Sequence, residues 1–211
     1  MAESAQQALG ILRDTSYFQW YIIPLLMTVI YVVSVEIERE NWNVLLGGLA
    51  FWGMDWFNEI WNSLVFHFTQ YAPVWGAPSG HTAYLILIGL NIEITFMFLI
   101  AGIACAKMLP KDKHMKILGI PNRWFLGTIN CILFVIVEII LNSIGVLTWE
   151  YSWWQAGFPF VLFIIGYAPF LAACYWVHDM DNVKKQLTSV AIIFGVNISA
   201  LIVFGAILNW I

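Results

Sequence analysis

Charge is what this chain lacks most. Asp, Glu, Lys and Arg supply only 10% of its 211 residues, against about 25% in soluble domains. No stripe of Lys and Arg marks a nucleic-acid surface, so nucleic acid is excluded as a partner. Cysteine is sparse too: Cys105, Cys131 and Cys174 lie in apolar segments and none belongs to a CxxC pair. They read as small buried side chains, not thiolate ligands.

Four histidines occur, with no HxxH, HxxxH, HExxH or ExxH spacing, which disfavours a histidine-box oxygenase. No Walker loop, GxGxxG or GxSxG is present, so ATPase, dinucleotide-binding and serine-hydrolase readings fall away. No cofactor is expected. His178-Asp-Met-Asp181 is too small an acidic cluster for a Mg²⁺–diphosphate site and reads as a solvated loop. A charged n-region with a cleavage site is missing, and so are internal repeats, heptads and low-complexity tracts.

What is present is long apolar runs. Hydrophobic residues make up 61% of the chain. The pattern predicts an all-α integral membrane protein, a bundle of six transmembrane helices, with spans over residues 18–35, 41–66, 82–108, 124–146, 158–177 and 187–210. Residues 1–16, with Ala5, Ala8, Leu9, Ile11 and Leu12, predict a short amphipathic segment lying on the bilayer. Pro169 predicts a kink in the fifth span.

Lys and Arg concentrate in the connections 107–123 and 178–186. The positive-inside rule makes these loops cytoplasmic, both termini external and the host membrane the cytoplasmic (inner) one. Trp42, Trp75, Trp124, Trp149, Trp153, Trp154, Trp176 and Trp210 sit near span ends and predict an interfacial belt.

Against this apolar background the intramembrane acids stand out. Asp55 and Glu59 are four residues apart, with Asn58 and Asn62 on the same helical face. Glu93 lies on the third span, opposite Asn91 and Thr95, and Glu138 on the fourth shares a face with Asn142. Acids at membrane depth are costly and point to function. Each also has a structural alternative, interhelical glue worth about 0.6–2 kcal/mol per pair.

If spans two, three and four meet, these groups converge on one cavity. The reading is a membrane-embedded enzyme that performs protonation, isomerisation or cyclisation on an isoprenoid, sterol or other lipid. Asp55 and Glu59 would be the acid–base group and Glu93 and Glu138 its partners. Asn58, Asn62, Asn142 and Tyr167 would position substrate, and Trp52, Trp56 and Trp61 would line the pocket. The alternatives are a small proton- or cation-coupled transporter or channel, and a non-catalytic subunit of a membrane complex. The expected partners are the bilayer, an apolar small molecule and a homo-oligomer or membrane complex. No metal is expected, although His67 and His81 flank one loop and could approach each other.

Asp55-Trp-Phe-Asn-Glu59 is loosely similar to the segment with which small integral-membrane terpene cyclases protonate an isoprenoid. Those enzymes have more helices and a second acid on the last one, which this chain lacks, so no membership is inferred.

Overall fold

Apolar runs must satisfy their backbone groups internally, and helices do so within one segment. The computed structural model describes residues 1–78 and 82–211. Its helices are α1 (Glu3–Ile11), α2 (Ile22–Glu38), α3 (Trp42–Thr69), α4 (Ile92–Lys107), α5 (Asn122–Ser143), α6 (Pro159–His178) and α7 (Val183–Ile207). Three of them, α5, α6 and α7, are long and apolar enough to cross a membrane. The other three expected spans do not reach that standard as they stand. α2 and α4 have 17 and 16 residues, short of the roughly 20 that a bilayer needs. α3 has the length, but Asp55, Glu59 and three Asn dilute its hydropathy.

The third expected span, 82–108, is corrected at its start. Residues Leu85–Leu87 (β1) and Leu90–Asn91 (β2) form an antiparallel hairpin, and the helix begins only at Ile92. The Asn91 carboxamide oxygen accepts the Ile94 N–H at 2.8 Å and caps α4. Asn before an apolar run is an N-cap signal, so Asn91 ends the hairpin instead of decorating a helical face. A second hairpin, Lys116–Ile117 (β3) with Ile120–Pro121 (β4), precedes α5. Its tip, Leu118 and Gly119, has both residues at positive φ, the geometry of a tight two-residue hairpin turn.

α3 is the hub. It packs against α4 on one side and α6 and α7 on others, while α2 leans on α3 and α4, and α5 leans on α6. Close approach to α4 is made by Gly48 and Gly102: a Cβ on Gly48 would stand 2.6 Å from Ile103, and one on Gly102 would stand 2.8 Å from the Gly48 carbonyl.

The bundle has two chemically distinct ends. At the basic end, buried Glu36 pairs with Lys107 and accepts from Asn41. Arg123 holds Asp179 through two nitrogens, at 2.7 and 2.9 Å. Burial disfavours the Asp179 carboxylate, but Arg123 and His178 more than offset this and hold its carboxyl below the usual range. At the aromatic end, Gly76 and Thr148 exchange backbone hydrogen bonds of 3.0 and 2.9 Å. The apolar face of α1 is spent there: Ala8 and Ile11 pack with Ala77, Leu85, Ile88 and Leu147. The expected bilayer-facing segment therefore turns that face to protein.

α6 departs from regular geometry just ahead of Pro169. Over Leu162–Tyr167 it widens to a π-helical turn, and the Ala168 N–H reaches the Phe163 carbonyl five residues back. Proline has no N–H and crowds the carbonyl four residues before it. The wide turn absorbs that conflict.

Candidate active site

The helix α3 carries the chemistry, but a loop completes it. Asn62, fully buried, accepts the Val74 and Trp75 N–H groups at 2.7 and 3.3 Å and donates to the Trp75 carbonyl at 2.7 Å. This folds the segment after α3 back over its own helix. The Trp75 indole then donates to Glu59 Oε1 at 2.7 Å. The tip of the first hairpin closes from above: a Cβ on Gly89 would lie 2.8 Å from Glu59 Oε2 and 2.5 Å from Asn62 Nδ2. Glu59 Oε2 is buried without a hydrogen-bond partner among the described residues.

Below this cap lies a cavity of about 480 Å³. Glu59, Glu93 and Glu138, from α3, α4 and α5, all line it, together with Asn58 and Tyr167. Glu138 accepts the Tyr167 hydroxyl at 2.6 Å. Gly166, also on the π-helical turn, packs on the Trp154 ring. π-helical turns recur at functional sites because they re-aim one side chain. The indole N–H groups of Trp149 and Trp154 stand toward Glu138 but outside hydrogen-bond geometry, so both are buried donors without a partner among the described residues. Glu59 and Glu138 are near enough for their charges to interact.

The floor is aromatic. Tyr167 stacks on Phe134 at 5.4 Å and on Phe98 at 6.4 Å, with Phe170 edge-on at 6.0 Å. Phe51, fully buried, closes it from beneath against Phe98, Phe134 and Phe170. Beyond it the core is Cys105, Cys131, Cys174 and Tyr175, with all three thiols free and buried.

The expected site is thus partly assembled and partly redistributed. Asp55 does not line the cavity. It sits one turn below Glu59, buried, with Oδ2 unpartnered among the described residues. Glu93 is at the rim and fully engaged, accepting from Tyr21, Thr82 and the Ala83 N–H. Asn62 serves the cap, and Asn142 donates to the Leu147 carbonyl at 3.1 Å instead of facing the cavity.

The three expected pocket tryptophans are elsewhere. Trp52 donates to Thr95 at 2.7 Å, Trp56 packs against the cluster of Ile60, Leu87 and Leu90, and Trp61 backs Trp75. Trp75 and Trp154, expected in the interfacial belt, take their place; their rings are 5.2 Å apart over the carboxylates. Position near a span end predicts an interface, and only the return of two loops over the bundle buries them.

Among the described residues no three His, Cys, Asp or Glu side chains gather as a metal site. His67 stacks on Trp210 at 4.7 Å, and His81 lies outside the described residues.

No solved structure matches the chain. An uncharacterized protein of Archaeoglobus fulgidus is 56% identical over 209 residues, covering 99% of both chains. A second uncharacterized protein of the same organism is 43% identical over 53 residues, which is 25% of this chain and 95% of that protein. Residues 2–206 match the family described as "Uncharacterized membrane protein family". With mostly helical structure, three membrane-competent helices and this match, the chain belongs to that membrane protein family.

Proposed function

We propose that the protein is a membrane-embedded enzyme that performs acid–base chemistry on an apolar isoprenoid, sterol or other lipid. The observation that carries this reading is the pair Glu59 and Glu138 at the wall of one aromatic-floored cavity. Two carboxyls in different surroundings can act as acid and base without a cofactor. Glu59 is held by one indole and has a bare oxygen; Glu138 is held by a phenol with two indoles waiting.

One carboxyl gives its proton to an alkene carbon, whose π electrons form the new C–H bond. The neighbouring carbon becomes cationic, and the cavity-lining rings of Phe98, Phe134 and Tyr167 stabilise it. The other carboxylate removes an adjacent proton and restores a double bond, so the net change is isomerisation. Asp55 and Glu93 act as neighbours of this pair, not members of it.

The phenylalanine floor of Phe51, Phe98, Phe134 and Phe170 supports catalysis over transport. The buried polar groups beneath it, Asp55 and the Asn130–Tyr175 pair at 3.1 Å, are what a relay would use. The basic and aromatic ends support six crossings, with α2, α3 and α4 spanning alongside α5, α6 and α7. They also support a cytoplasmic membrane location with loops 107–123 and 178–186 inside.

The test is lipid extraction and mass spectrometry of membranes carrying the protein, Glu59→Gln or Glu138→Gln. Species that depend on the wild-type protein should fall by about 10²–10⁴-fold in each variant, with unchanged protein level and thermal midpoint. If Glu59→Gln unfolds the protein, or no lipid species differs, the reading is wrong.

A further inference from the structure

The cavity has one soft side. α4 and α5 both line it but hardly touch each other. Met97 on α4 and Leu133 and Val137 on α5 belong to its wall and are also 54, 53 and 39% exposed. Side chains that face both ways mark a mouth, and α5 is one of the membrane-competent helices. With the six crossings proposed above, the mouth opens into the apolar layer and not into water.

The charge inside is one-sided. The described lining residues include Glu59, Glu93 and Glu138 and no Lys, Arg or His. Four of the donors at the wall are committed, Tyr21 and Thr82 to Glu93, Trp75 to Glu59 and Tyr167 to Glu138. The neutral Trp154 indole and Asn58 carboxamide remain, and neither carries a charge to offset an anion. A phosphate or carboxylate brought here would lose its water and meet acids with no cation among the described lining residues to pair with. A cavity of about 480 Å³ suits a drug-sized piece of a molecule, so a long chain keeps its remainder in the slot and the bilayer.

We propose that the cavity takes the uncharged end of an unsaturated chain lipid, sideways from the bilayer through the α4–α5 slot, and rejects ends that carry phosphate or carboxylate. The demand for unsaturation rests on the acid–base reading above; the route and the charge rule do not.

The experiment uses the full-length protein in phosphatidylcholine vesicles and two photoprobes. One is a fifteen-carbon prenyl alcohol with a diazirine in the isoprene unit next to the hydroxyl; the other is its diphosphate. After irradiation, labelled peptides are mapped. The alcohol should label Met97, Leu133 or Phe134. Val137→Trp, which fills the slot, should cut that labelling about tenfold. Val137→Ala should keep it, and so should Ile136→Trp, a bulky change at an exposed neighbour outside the lining. The diphosphate should label these positions about tenfold less than the alcohol.

Labelling that ignores Val137→Trp in a protein with an unchanged thermal midpoint overturns the lateral route. Equal labelling by the diphosphate overturns the charge rule. Labelling confined to the outer surface overturns both. Wild-type protein that takes up the alcohol in this pattern yet changes no lipid refutes the acid–base reading alone.

Discussion

Single atoms decide how the acids are held. Glu59 has one oxygen on the Trp75 indole and the other pressed toward Gly89. The absent side chain at position 89 is therefore part of the site. Gly89→Ala places a methyl 2.5 Å from Asn62 Nδ2 and 2.8 Å from both Glu59 Oε2 and Trp75 Cδ1. Overpacking of this kind costs about 1–3 kcal/mol. The thermal midpoint should drop and turnover should fall with it. Gly10→Ala in α1, with nothing within 4 Å of the added carbon, should instead leave the midpoint unchanged or raise it slightly. Equal behaviour of the two variants would show that the hairpin tip does not press on the carboxylate.

At the scale of elements, the wide turn in α6 ties backbone to chemistry. A π-helical turn carries one extra residue, so its loss turns the outer part of the helix by about 100° relative to the rest. Pro169 follows the turn by two residues. Pro169→Ala should let Leu162–Tyr167 relax to regular helix, withdrawing Gly166 from Trp154 and Tyr167 from Glu138. Turnover should fall to about the level of Tyr167→Phe while the thermal midpoint holds, because alanine favours helix over proline by about 3 kcal/mol. Retained turnover in Pro169→Ala would mean that packing around Phe170 and Leu171, not the proline, sets the wide turn.

For the whole molecule the question is which helices cross the bilayer. The three native cysteines are buried, so introduced ones report alone. Glu40, Gln70, Lys111 and Ser152 are exposed and lie in four successive connections. With six crossings, Gln70→Cys and Ser152→Cys react with a membrane-impermeant maleimide added to intact cells. Glu40→Cys and Lys111→Cys react only after lysis. Glu40→Cys and Gln70→Cys reacting from the same side would remove α3 from the spanning set.

The sequence by itself determined the solvent and the building material. Scarce charge and long apolar runs dictate helices in an apolar medium, and the cost of burying acids singles out Asp55, Glu59, Glu93 and Glu138. Helical spacing put Asp55, Asn58, Glu59 and Asn62 on one face; the cavity takes Asn58 and Glu59 from it and leaves Asp55 and Asn62 outside. Local signals were legible but outvoted: Gly89 and the capping Asn91 mark the hairpin before α4, yet the surrounding apolar run reads as helix. Tertiary structure alone decided which acids meet. The rotation of each helix about its axis is set by contacts such as Gly48 on Gly102, and no periodicity encodes it across helices. The same holds for Trp75 and Trp154, which reach the carboxylates only because Asn62 and the Gly76–Thr148 bridge fold their loops inward. An apolar run can declare that a buried acid is expensive, but its partner across the cavity is set by long-range packing.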